Sequence, residues 1–177
     1  KDRVSPRILP TRSNIELHNF YVPAGRNIPD QDVNEKFLHK LNFLEEMSVW
    51  FAHRQSARAI LVGDLNVAPS ANDVWSHSQL LNVVSHTPIE VTALKKIMEK
   101  GNWVDAVRHF TPETRKLFSW WSYRARDWSS SNRGRRLDHI WVTPGLLSAL
   151  DAAWILRDIR GWPDPSDHVP VLLDLDV

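Results

Sequence analysis

The chain has 177 residues, 42% of them hydrophobic and 24% charged, enough to bury one sizeable core and too apolar for wholesale disorder. It contains no cysteine, which excludes disulfides and thiolate metal sites and fits a reducing, cytoplasmic setting. The formal net charge is +1, so any pull on a polyanion must be local, and no apolar run approaches a membrane span.

The opening segment, KDRVSPRILPTRSN, is interrupted by prolines and too polar for a secretory signal. Ile15 to Val22 predicts a strand with partial alternation, broken by Pro23-Ala24-Gly25. From Asn34 to about His53, Phe37, Leu38, Leu41, Leu44, Met47, Trp50 and Phe51 recur at helical spacing. Ala59 to Val62 predicts a short buried strand, and Ser70 to His86 an irregular stretch. Thr92 to Lys100 predicts a helix with Thr92 as its N-cap and Gly101 as its stop. A helical turn is expected near Val104 to Phe110, and a loop over Ser129 to Gly134. Leu137 to Val142 predicts a strand and Pro144 to Leu150 a short helix. Ala152 to Ile159 and Val169 to Val177 predict the last two strands. Nothing reads as a linker or repeat, so residues 1–177 are taken as a single domain.

Three of these strands carry a carboxylate at or near one end. Asp64 and Asn66 follow Ala59 to Gly63, Asp138 lies in RRLDHIWV, and Asp167 with His168 precedes VPVLLDL. A lone Asp after a strand is ordinarily a turn or helix cap, and a lone His before one is ordinarily structural. Their recurrence at three strand ends points instead to a site, because strand ends and the loops leaving them build active sites in layered proteins. Carboxylates with Asn and His suit a hard cation, Mg²⁺ or Mn²⁺. The chain has no Gly-x-Ser-x-Gly, no P-loop and no His-Glu-x-x-His, and its six glycines form no dinucleotide fingerprint. Metal-assisted hydrolysis of a phosphate ester is the reaction class left.

Phe118 to His139 interleaves Trp120, Trp121, Tyr123 and Trp128 with Arg124, Arg126, Arg133, Arg135 and Arg136. Arginine grips phosphate through paired donors, and aromatic rings stack on bases. The plainer alternative is a Trp-rich satellite core beneath a solvated Arg face.

In order, YVPAG, GDLNVAPSANDVW, FSWWSYRA, NRGRRLDHIWV and SDHVPV resemble the bacterial exonuclease III family, of the endonuclease/exonuclease/phosphatase superfamily. The resemblance implies an α+β fold, a four-layer αββα sandwich. It also implies Mg²⁺-dependent (or Mn²⁺-dependent) repair of double-stranded DNA by a monomer, at abasic sites and at 3′-blocked ends. Carried over by motif, Asp64 orients or deprotonates the attacking water, Asn66 helps hold it, and Tyr21 touches the phosphate. His168 binds the scissile phosphate and pairs with Asp138. Asp64, Asn66, Asp167 and His168 lie at or near the metal. Trp120 and Leu137 line the abasic pocket, and Arg124, Arg133, Arg135 and Arg136 meet the DNA.

Two departures stand out. Ala24 replaces an amide that usually follows the YVP motif. A strand bearing an Asn, and a Glu that is the family's principal metal ligand, have no counterpart here; Glu16, Glu35, Glu45 and Glu46 sit in no matching motif. The expectation is that this chain lacks the N-terminal portion of the usual sandwich, binds metal weakly and is poorly active alone. Two other readings stay open: a relative acting on inositol phosphates, sphingomyelin or RNA, and a DNA-binding module without catalysis.

Overall fold

The apolar run after Ala59 needs cover on both faces, and the chain provides it from two directions. The computed structural model describes residues 14–125 and 127–177, so the opening polar segment before Asn14 and Arg126 of the basic, aromatic loop lie outside the described residues. In chain order the elements begin with β1 (Glu16–Asn19), α1 (Glu35–His53), β2 (Ala59–Asp64), α2 (His77–Leu80) and α3 (Pro88–Gly101). There follow β3 (Val104–Asp105), α4 (Ala106–Phe110), β4 (Trp120–Trp121), α5 (Trp128–Ser131), β5 (Gly134–Arg135) and β6 (Asp138–Val142). The chain closes on β7 (Leu150–Ile155) and β8 (Val171–Leu175).

A mixed sheet of order β1-β2-β6-β3 forms the frame, with β1 parallel to β2 and β6 antiparallel to both β2 and β3. Leu61 and Trp141, paired across β2 and β6, are fully buried against α1 and α3 with Phe20, Leu44, Met47, Phe51, Leu94 and Ile97. Each such side chain contributes about 2 kcal/mol by leaving water. Ile60, Val62, Ile140 and Val142 face the other way and pack with Leu150, Val171 and Leu173 of the β7–β8 pair. Helices, mixed sheet and second sheet are thus three stacked layers of an α+β sandwich. Among the described residues no helix is long and apolar enough to cross a membrane.

Most predicted elements appear, with shifted ends. Pairing does continue to Val22: the Phe20 N–H donates to the Val62 carbonyl at 3.0 Å and the Val22 N–H to that of Asp64 at 2.9 Å. Asn34 caps α1 by accepting from the N–H groups of Lys36 and Phe37. Helix α3 starts at Pro88, not after Thr92: Thr87 and Glu90 form a reciprocal capping box, and Pro88 occupies the first turn, where no N–H is needed. It ends on Asn102 in the left-handed conformation, one residue past Gly101. The expected loop at Ser129 holds the one-turn α5, capped by Asp127, and then β5. The expected strand to Ile159 stops at Ile155 and passes into a 3₁₀ turn, Arg157–Gly161.

Gly63 is required where β2 meets the Phe20 backbone. Its φ is +139°, and a Cβ there would stand 1.9 Å from the Phe20 carbonyl oxygen. Gly63→Ala is expected to lower unfolding free energy by at least about 2 kcal/mol, read as a lower urea midpoint at unchanged slope.

Candidate active site

The antiparallel register of β2 and β6 sets Asp64, the last residue of one strand, opposite Asp138, the first of the other. Two carboxylates are thereby brought face to face at a sheet end. The segment after Phe118 supplies the third group. Trp120 bridges to His168, the Trp121 N–H donates to the Asp167 carbonyl, and the Val169 N–H to that of Ser119. His168 Nδ1 lies 2.8 Å from Asp138 Oδ2, and its Nε2 lies 3.9 Å from Asp64 Oδ2. Asp64, Asp138 and His168 each offer a ligand atom within 4.8 Å of the others.

Each group is oriented by its neighbours. Asp64 Oδ1 accepts the Asn66 N–H at 3.0 Å and Oδ2 accepts Asn66 Nδ2 at 3.0 Å. The same amide donates to the Val22 carbonyl at 2.8 Å, tying the turn to β1. Ser119, which no motif argument singled out, is fully buried beneath Asp138. Its hydroxyl accepts the N–H groups of Leu137 and Asp138 and donates to Asp138 Oδ2 at 2.7 Å.

The electrostatics follow from this crowding. Burial, reinforced by the Asp138 carboxylate, pushes Asp64 up to about 6. Burial works against a charged His168, but the hydrogen bond and charge of Asp138, with Asp64 and Asp167 beyond, outweigh it and raise His168 above its ordinary value. Those partners favour the imidazolium form of His168. With Nδ1 committed to Asp138, its Nε2 is the ring nitrogen that faces Asp64.

These groups open on a cleft of about 740 Å³ that Tyr21, Ala24, Arg26, Trp75, Trp120, Arg124, Arg133, Arg135 and Leu137 also line. Tyr21 is 66% exposed. Arg124 and Arg133 are exposed, and Arg133 lies 4.8 Å over the Trp75 ring. Arg135 is half-buried, stacks 5.4 Å from the Trp120 ring and donates to the Val84 carbonyl and Ser85 Oγ. Leu137 is a buried wall residue. Asp167 stands outside the three-residue cluster and accepts from Trp120 Nε1 at 2.9 Å. Arg136, expected to meet DNA, is enclosed: it is 1% exposed and donates to both Asp73 carboxylate oxygens and to Asp105 Oδ2. Asp73, which also pairs with Arg108, and Asp105 hold it inside, because a buried guanidinium needs carboxylate partners. Arg135, the last residue of β5, faces the cleft, whereas Arg136, between β5 and β6, turns inward to its carboxylates.

A family model described as the endonuclease/exonuclease/phosphatase family matches residues 5–168. The chain belongs to this family. It is 36% identical over 125 residues to an exodeoxyribonuclease of Bacillus subtilis, covering 70% of this chain and 46% of that protein. It is 29% identical over 161 residues to exodeoxyribonuclease III of Haemophilus influenzae, covering 86% and 58%. The chain spans about half the length of these curated relatives. An AP endonuclease structure from Archaeoglobus fulgidus superposes with a TM-score of 0.85 at 32% identity, over 93% of this chain and 63% of that one. A Neisseria 3′ phosphatase solved with a product DNA hairpin superposes at 0.84 and 23% identity, over 93% and 62%, and so shares the fold.

The raised Asp64 sets a pH test of stability. Its unfolded value is 3.8 and its folded value about 6, so the folded state holds the proton more tightly. The stability Asp64 contributes is complete below pH 3.8 and is lost as pH rises through 6. In metal-free buffer, the difference in unfolding free energy between wild type and Asp64→Asn should shift in the variant's favour by about 1–2 kcal/mol from pH 4 to pH 7, allowing for partial solvent screening.

Proposed function

We propose that this chain carries the catalytic cleft of a metal-dependent DNA phosphodiester hydrolase acting at abasic sites and at 3′ ends. The observation that carries this reading is the convergence of Asp64, Asn66, Asp138 and His168 on one cleft whose rim bears Arg124, Arg133 and Trp120. The DNA-repair names of its relatives, an exodeoxyribonuclease III and an AP endonuclease among them, support the substrate class.

The residues divide the chemistry. A phosphodiester repels a nucleophile, so attack needs a positioned water and neutralised charge. Asp64, poised near 6, takes the proton of a water, and Asn66 fixes the carboxylate that does so. His168, whose charged form Asp138 favours, binds a non-bridging phosphate oxygen. Tyr21, exposed on the same cleft, donates its hydroxyl to the phosphate. The oxygen-rich donor set around Asp64 fits a hard cation, with Asp64 and Asn66 as the residues that would hold it and Asp167 further off. Bound there, Mg²⁺ or Mn²⁺ supplies further neutralisation of the phosphate. Trp120 offers an apolar wall to the gap left by a missing base, with Leu137 behind it. Arg124, Arg133 and Arg135 face the backbone.

Two measurements test the reading. On a duplex with one abasic site, cleavage by the 177-residue chain should require Mg²⁺ or Mn²⁺. Asp64→Asn should lower kcat by at least about a hundredfold while leaving DNA affinity within about twofold. Faster hydrolysis of inositol phosphates than of DNA, or salt-sensitive DNA binding with no cleavage in either metal, would overturn it. Arg133→Ala should weaken duplex binding for every sequence and reduce the slope of log affinity against log salt by about 1.

A further inference from the structure

The turn that bears Asn66 is held from behind by three buried donors on three consecutive carbonyls. Lys40 Nζ of α1 donates to the Asn66 carbonyl at 2.8 Å. His139 Nε2 of β6 donates to the Val67 carbonyl at 2.8 Å. His86 Nδ1, just before α3, donates to the Ala68 carbonyl at 2.7 Å. Lys40, His86 and His139 are each no more than 2% exposed.

A carbonyl only accepts, so both imidazole tautomers are determined. His139 carries its proton on Nε2, leaving Nδ1 to accept from Arg136 Nη1 at 3.2 Å. His86 carries its proton on Nδ1, leaving Nε2 to accept from His77 Nδ1 at 2.8 Å. Burial keeps both imidazoles neutral. Each donor is itself anchored. Arg136 is paired with Asp73 and Asp105, and Lys40 sits 2.5 Å from Glu90. The Glu90 carboxylate in turn accepts the N–H groups of Ser85 and Thr87.

The turn needs such support. Asn66 has φ +52°, a left-handed conformation that costs about 1 kcal/mol or more and persists only where the surroundings over-determine it. That conformation lets the Asn66 N–H and Nδ2 both reach Asp64. We propose that Lys40, His86 and His139 form a carbonyl clamp that fixes the Asn66–Ala68 turn and thereby aims Asp64 and Asn66. They are positioning residues for the hydrolysis inferred above, and this inference rests on that reading. Loosening the clamp leaves Arg124, Arg133 and Trp120 in place, so its effect falls on turnover and not on DNA binding.

The test compares variants that delete a donor with variants that restore it. His139→Leu removes the hydrogen bond to Val67, whereas His139→Gln places an amide N–H near the former Nε2. His86→Leu and His86→Asn make the same comparison for Nδ1 and Ala68. Single-turnover rate and KM on the abasic duplex are read together with hydrogen exchange of the Asn66 amide, below the melting temperature of every variant. The Leu variants should lose about 10- to 100-fold in rate with KM within about twofold, and Asn66 should exchange at least about tenfold faster. The Gln and Asn variants should recover to within about fivefold of wild type on both readouts. Leu variants that keep both rate and Asn66 exchange within about twofold of wild type would overturn the clamp. So would amide variants that fall as far as the Leu ones. If the wild-type chain cuts no DNA, the hydrolase reading fails, while Asn66 exchange still decides the clamp.

Discussion

The pairing of Asp64 with Asp138 across β2 and β6 is the constraint from which the site is built. Two carboxylates forced together at a sheet end repel, and partial burial makes that repulsion costly. The surrounding residues answer it in different ways. Asp138 is satisfied by the Ser119 hydroxyl and by His168, whose imidazolium form it favours in return. Among the described residues Asp64 has the amide donors of Asn66 and the longer, 3.9 Å contact to His168 Nε2, so burial and Asp138 leave it with a raised affinity for a proton. The resulting asymmetry leaves Asp138 hydrogen-bonded and Asp64 with the raised proton affinity.

Behind this pair lies a second layer of charge that does no chemistry. Arg136 and Arg108 share Asp73, and Arg136 also reaches Asp105, so β6, α4 and the turn around Asp73 are locked together. Arg136 spends its charge inward, while Arg133, two residues past the end of α5, spends its charge on the Trp75 ring at the rim of the cleft. One basic run therefore serves two purposes, structural and ligand-facing. Buried ion pairs of this kind add little net stability, but removing one partner leaves an uncompensated charge in the core. They act here as a rigid floor for the turn carrying Asn66.

Much of this was legible in the chain itself. The apolar period marked α1 and β2, and Asp64, Asn66, Asp138 and His168 stood out because polar groups at the ends of such buried strands have no packing reason to be there. The boundaries of α3 were less so, because the Thr87–Glu90 capping box lay inside a stretch that otherwise looked irregular. Ser119 carried no local signal, and Lys40 and Glu90 carried only faint ones. A serine within FSWW, or a lysine on a helix that is largely amphipathic, shows its role only when its partner from elsewhere in the chain is known. Lys40 does lie three residues after Phe37 and four before Leu44, on the buried stripe, and a charge on that stripe was the available hint.

The order of motifs and the residue types at the strand ends pointed to the family, because charge, hydrogen-bonding capacity and apolar period belong to the residues themselves. Tertiary structure decided which way each side chain was used. It turned Arg136 into the core and left Arg133 outside, favoured the imidazolium form of His168 through Asp138, and raised Asp64 by setting it against another carboxylate. Those outcomes depend on distance and burial, which arise only when residues far apart in the chain are brought within a few ångströms of each other.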